Sequence, residues 1–291
     1  MQPTPDDLET LTRKKQAKLS SAFLTKAAWL TDYDKAREES LRRGVPILAY
    51  FTLSHFVCLN CAQVEAGVFS DERFADWAQG WVLYMHLSTA IPSDPHQDLL
   101  GKLDIKGWPE LMILDGKGEL LAHLTASRDL EGLQDLGRRA LAFLDLRRRA
   151  GAGDRDAEVD LLLAQHDLGT LPLAGLRTRR EGMGALTEAQ RARLDGRLAD
   201  GEVREVLLRI RLDAGARFLA MKARGLVPAS DKEAWTFWNM MMEHAEASKD
   251  LPAFQAALDA AKARFHEEPN QRRILGDWER KLRKLGRDGA A

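Results

Sequence analysis

The sequence predicts an α/β domain followed by an all-α domain. Three observations carry that expectation. Apolar runs of strand length alternate with helical segments up to residue 149, no convincing strand-like run follows, and the segment AGAGDRDAE (150–158) changes composition between the two halves. The expected boundaries are an N-terminal helical arm over 1–28, the α/β domain over 29–149, and an all-helical domain over 150–291. A chain of 291 residues suits two domains, each of about 100 to 150 residues.

Taken in order, Thr31 and Asp32 offer caps for a helix, DYDKAREESLRRG, that Gly44 ends. VPILAYFT (45–52) is a continuous apolar run suited to a strand buried on both faces. HFVCLNCAQVEAGVF (55–69) holds both cysteines at the head of a helix expected to run about three turns over CAQVEAGVF. Ser70 is the expected cap of a second short helix, DERFADWAQ, before the strand-like WVLYMHLST (81–89). Two prolines make AIPSDPHQD (90–98) a loop, and QDLLGKLDI a short helix after it. GWPELMILD (107–115) and ELLAHLTA (119–126) form a hairpin about the turn GKG (116–118). SRDLEGLQDLGRRALAFLDL (127–146) is helical, with Leu130, Leu133, Leu136 and Leu141 on one side.

Beyond the expected linker at 150–158 the chain reads as consecutive helices. TEAQ (187–190) and SDKE (230–233) are capping boxes. Helices follow over 233–247, LPAFQAALDAAKARF and the run after Pro269. Ala245, Ala257 and Pro269 faintly resemble the small-residue and proline spacing of a tetratricopeptide hairpin, but a single unit does not make an array. WTFWNMMMEH (235–244) reads as core packing, since Met fills irregular gaps.

Composition excludes several function classes. Apolar residues are 45%, charged residues 30%, and net charge is −1, so no global field recruits nucleic acid or an anionic membrane. Basic clusters at 147–150 and 177–180 sit beside acidic residues and read as solvated helix faces. No stretch approaches the roughly 20 apolar residues of a membrane span. The opening MQPTPDDLETLTRKKQAKL has no apolar signal core. A native Met1 then implies the cytoplasm, whereas QPTPDD as a processed start implies a periplasmic or secreted protein. No G-x-S-x-G, H-E-x-x-H or P-loop motif is present.

The chemistry concentrates on Cys58 and Cys61, the only cysteines in the chain. A thiol in the first turn of a helix faces unpaired N–H groups and the positive end of the helix dipole, which favour thiolate over thiol. Cys61 lies one turn later on the same face, within reach of a disulfide. Cys58 is therefore the expected nucleophile and Cys61 the resolving thiol of a disulfide-exchange pair.

A strand, C-x-x-C at a helix start, a later proline heading a strand and a glycine-containing hairpin together resemble the thioredoxin-like superfamily. GWP (107–109) is similar to the segment in which that family carries a cis-proline. The resemblance covers about residues 29 to 146. AAWLTDYDKAREESLRRGVPILAYFT also resembles secreted bacterial proteins with a DsbD-type or thiol-reductase domain and a helical extension. It implies a thiol–disulfide oxidoreductase with no cofactor, acting on protein dithiols and disulfides, with Cys58 and Cys61 catalytic. It further implies a cis bond into Pro109, and a substrate surface of Trp108, Pro109, Leu59 and Asn60. The pattern departs from thioredoxin at Val57, before the pair, and at Leu59-Asn60, within it. Tyr50 stands where thioredoxin buries an aspartate, and Glu65 and Glu110 are carboxylates that could replace it.

Two other readings compete. In one, the fold is a non-enzymatic binding or scaffold module whose helical half docks a protein partner. In the other, His55, Cys58 and Cys61 hold Cu(I) or Zn²⁺ as a chaperone. No second Cys or His pair completes such a metal set.

Overall fold

The computed structural model describes residues 4–209 and 213–288. Met1 to Pro3, on which the expectation about the chain start rests, lie outside the described residues. The chain divides into two compact units, 1–164 and 165–291.

The first unit opens with α1 (Pro5–Leu19), whose N-cap Thr4 and residue Asp7 form a reciprocal capping box. A short 3₁₀ turn, Ala22–Thr25, leads to β1 (Trp29–Leu30) and α2 (Tyr33–Arg43). The Asp32 side chain caps α2, and Gly44 ends it in the left-handed conformation at φ 67°. Of the two expected caps, Asp32 is used. β2 (Ile47–Leu53) is buried along its whole length, as its unbroken apolar run requires.

After β2 comes α3 (Leu59–Ala66), shorter than the three-turn helix expected over 61–69. It stops at Gly67, where an added Cβ would lie 2.7 Å from the Gln63 carbonyl oxygen, and a 3₁₀ turn over Val68–Ser70 follows. α4 (Glu72–Ala78) is capped by Asp71, not by the expected Ser70. The Ser70 hydroxyl instead donates to the Glu65 carbonyl at 2.7 Å. β3 (Val82–Ser88), α5 (Leu99–Lys102), β4 (Glu110–Leu114) and β5 (Leu120–His123) complete the sheet side of the unit.

The sheet is mixed, in the order β1-β3-β2-β4-β5. β1 and β2 run parallel to β3, and β4 runs antiparallel to both β2 and β5. The expected crossover and terminal hairpin are both present. Ile47, Ala49, Phe51, Val82, Tyr84, Met112 and Leu114 form one core cluster with Tyr33 and Ala36 of α2. Tyr50 joins a second, aromatic cluster of Phe23, Trp29, Phe69 and Phe74, with neighbouring ring centroids 4.8–6.2 Å apart. Side chains of successive strand residues point to opposite faces, so β2 serves both.

α6 (Leu130–Gly151) packs on β4 and β5 through Leu133, Leu136, Ala140 and Phe143. Leu141, expected on that side, is 52% exposed. The expected linker at 150–158 is not an extended one. α6 runs to Gly151, α7 (Arg155–Asp167) begins four residues later, and Gly153 at φ 90° makes the break. Asp154 ties it down by pairing with Arg149 and accepting from the Ala157 N–H.

In the second unit α8 (Leu173–Gly182), α9 (Glu188–Arg209), α10 (Ala214–Ala223), α11 (Asp231–Ser248), α12 (Leu251–Phe265) and α13 (Pro269–Asp288) follow, with no strand among the described residues. Thr187 and Gln190 make the expected reciprocal box. At Ser230 the box is altered. Glu233 accepts from the Ser230 hydroxyl, while the Ser230 N–H donates to buried Asp200 of α9 at 3.0 Å. Phe237, Trp238, Met241 and Met242 lie in one core with Phe218, Phe254 and Phe265, so the Met-rich stretch packs internally. Ala245 and Ala257 are buried where α11 meets α12.

Candidate functional site

Cys58 is the N-cap of α3, and its sulfur accepts the Cys61 N–H at 3.2 Å. The two cysteines are joined in a disulfide with Cα atoms 5.2 Å apart. Their exposures differ: Cys61 is fully buried, whereas Cys58 is partly open to solvent. Around Cys58 stand Phe56 at 73%, Val57 at 91% and Leu59 at 73% exposure. Three large apolar side chains within four positions thus border one reachable sulfur. Asn60 is also exposed.

The segment between β2 and α3 is fixed to the sheet rather than loose. The Ser54 N–H donates to the Ser88 carbonyl at 3.0 Å, and His55 Nδ1 lies 3.2 Å from the same oxygen. Lys14 of α1 donates to the His55 carbonyl at 3.1 Å. With the sulfurs bonded to each other and His55 Nδ1 at a backbone carbonyl, the His55, Cys58 and Cys61 set presents no thiolate to a metal in this state.

Glu65 follows Cys61 by one turn on α3 and is the carboxylate nearest the pair in sequence. Its Oε1 accepts from the Tyr50 hydroxyl at 2.5 Å, from Thr52 at 3.4 Å, and from Lys18 of α1 at 2.5 Å. Both charged side chains are largely buried, Lys18 at 16% and Glu65 at 12% exposure. Burial first, then the Glu65 charge and hydrogen bond, push the Tyr50 hydroxyl far above its ordinary range. Tyr50 therefore keeps its proton and serves as a donor to Glu65, never as a base. Glu110 is placed differently, with its carboxylate 2.5 Å from His123 Nε2 across the β4–β5 pair. That hydrogen bond holds the His123 pKa above its ordinary value.

Pro109 is buried and Trp108 half-buried, the latter packed against the core cluster of β2, β3 and α2. The Trp108–Pro109 peptide bond is cis. In the β2–β4 register Phe51 stands opposite Glu110, so Pro109 lies beside the end of β2 that leads to the cysteines. Cys58, Cys61, Leu59 and Asn60 come together at the head of α3, while Trp108 and Pro109 approach the same end of the sheet from β4. Lys18 and the Tyr50–Glu65 contact escaped the sequence reading. The only local trace of them is the four-residue spacing of Lys14 and Lys18, which sets both on one face of α1.

A second group of ionisable residues sits elsewhere in the unit. His86 is 2% exposed, its Nδ1 is 3.1 Å from the Tyr84 hydroxyl, and its Nε2 has no protein partner among the described residues. Burial, reinforced by His96, lowers its pKa to about 4. Asp32, Asp34 and His96 also converge, with ligand atoms within 4.8 Å, but both carboxylates are exposed. No described helix is long and apolar enough to cross a membrane.

No family model and no curated protein matches the chain. Among solved structures, a chain described as DsbH oxidoreductase is similar at 19% identity and a TM-score of 0.34, covering 39% of this chain and 84% of that one.

Proposed function

We propose that the first unit is a thioredoxin-like domain that exchanges disulfides with protein substrates through Cys58 and Cys61. One observation carries the reading: the two cysteines form a disulfide at the head of α3, with Cys61 buried and Cys58 partly exposed. That asymmetry separates an attacking sulfur from a resolving one.

Starting from the dithiol, the Cys58 thiolate attacks a substrate disulfide, forming a mixed disulfide and expelling one substrate thiolate. Cys61, deprotonated, then attacks the Cys58 sulfur. The Cys58–Cys61 bond forms, the mixed disulfide breaks, and the second substrate thiolate leaves. Two electrons pass from the chain to the substrate, and an external dithiol returns them. In the opposite direction a substrate thiolate opens the Cys58–Cys61 bond at Cys58, and a second one releases the oxidised product. Glu65, the carboxylate next in line along α3, is the group we assign to take the Cys61 proton during resolution. Trp108, Pro109, Leu59 and Asn60 border the approach.

Insulin reduction by the full chain against Cys58→Ser tests the claim. Loss of turnover in the variant is expected; equal turnover removes it. Cys61→Ser should accumulate mixed disulfides through Cys58. A partner captured without regard to reductant would favour the binding-module reading instead.

A further inference from the structure

α1 closes one side of a groove of about 410 Å³ whose other side is the segment leading into Cys58. Lys14, Ala17 and Lys18 of α1 line it together with Phe56, Val57 and Cys58. The lining is mainly apolar, and no acidic residue contributes to it among the described residues. Its two cations differ in state. Lys18 is neutralised by Glu65. Lys14 is exposed, donates only to the His55 carbonyl, and has no carboxylate within ion-pair distance among the described residues. The groove therefore combines an apolar wall with one uncompensated positive charge beside the reachable sulfur. Phe56 and Val57 are the exposed apolar side chains on this wall, at 73% and 91% exposure.

We infer that this groove receives a segment of a partner polypeptide that is apolar, carries an acidic residue, and flanks the partner's own cysteine. The inference rests on the exchange function proposed above and names its substrate class. Apolar side chains of the segment cover Phe56 and Val57, its carboxylate meets Lys14, and its sulfur is delivered to Cys58. A charged contact at an exposed lysine contributes modestly to affinity but selects between oppositely charged partners.

Binding is measured on the oxidised full chain, so no covalent step intervenes. The probes are two synthetic peptides of equal length with the same apolar sequence and serine in place of cysteine, flanked in one by aspartates and in the other by lysines. The aspartate peptide should bind about tenfold more tightly at low ionic strength, with the preference shrinking in 0.5 M salt, where the screening length is about 4 Å. Lys14→Glu should abolish or invert the preference. Val57→Ser, at a position too exposed to affect folding, should weaken both peptides by about five- to tenfold. Equal affinity of the two peptides, or a preference unmoved by Lys14→Glu, overturns the inference. So does concentration-dependent self-association that the aspartate peptide fails to displace, which would make a second copy of the chain the occupant. Insulin turnover is followed in parallel. Turnover without charge preference removes the groove and keeps the exchange reading, whereas selective binding without turnover removes exchange and keeps the groove.

Discussion

Lys18→Met removes the cation from the cluster beneath the cysteines and leaves Glu65 with only Tyr50 and Thr52 as donors. Both members of the pair are more than four-fifths buried, so solvent cannot re-form the lost contact without opening α1. Stranding one partner of a buried ion pair costs about 3–5 kcal/mol, and the residual exposure here reduces that to about 2–4 kcal/mol. At about 1.4 kcal/mol per factor of ten, protection of the slowest-exchanging β2 and β3 amides should fall by about 30- to 1,000-fold. Hydrogen exchange read by mass spectrometry resolves this within the first unit, independently of the helical one. Pairing the change with Glu65→Leu should restore part of the loss, because no charge is left stranded although the buried Tyr50 hydroxyl loses its acceptor. A fall of less than about threefold in Lys18→Met would refute the reasoning, since surface pairs give that little. The same result would show that α1 is not held through Glu65.

Glu65→Gln should slow resolution of the mixed disulfide more than its formation, read by stopped-flow quenching with a labelled substrate disulfide. His86 should make stability fall with acidity. Its folded pKa of about 4 lies below the unfolded value, so the unfolded chain binds the proton first and stability drops as pH falls from the unfolded pKa towards 4. Across that window the loss approaches about 3 kcal/mol, and His86→Phe should remove the slope, measured as melting temperature against pH. His123 acts with the opposite sign. Its raised pKa gives stability that is complete below the unfolded value and lost as pH rises through the folded one, and Glu110→Gln should abolish that contribution in the same titration. In the second unit, Asp200→Ala strands the Ser230 N–H and should cost about 2–3 kcal/mol, visible as faster exchange in α11.

What the sequence made legible was local. The run at 45–52 announced a strand buried on both faces, Asp32 and Gly44 bracketed α2, and the cysteines announced a helix start. Each of these signals lies within a few residues of the element it governs. Errors arose where a residue's partner is distant or where two neighbours compete. Ser70 and Asp71 are both good caps, and only the folded chain shows the serine engaged by the end of α3. The linker at 150–158 has a loop-like composition, yet a carboxylate and a glycine compress its break to three residues. Leu141 fits the periodicity of α6 but faces away from the sheet, while Phe143 is buried there. The cluster of Lys18, Tyr50, Thr52 and Glu65 draws on α1, β2 and α3, with sequence separations reaching 47 residues. No window along the chain contains it. Phe23 and Trp29 likewise join the core through rings distant in sequence, Tyr50 of β2 and Phe69 of the turn after α3, with Phe74 of α4 stacked on Trp29.

The borders of the sheet bear on how this protein meets other chains. One border is β1, only two residues long, and the other is β5, four residues long with a register shift against β4. Neither offers a straight ladder of free amides on which a foreign strand could template itself. Backbone-driven accretion is thus discouraged on both flanks, even though the interior is rich in strand-forming residues. Encounters with other chains are left to side chains, and in the first unit the exposed apolar group Phe56, Val57 and Leu59 gathers beside the cysteines while Leu41 and Leu141 stand singly.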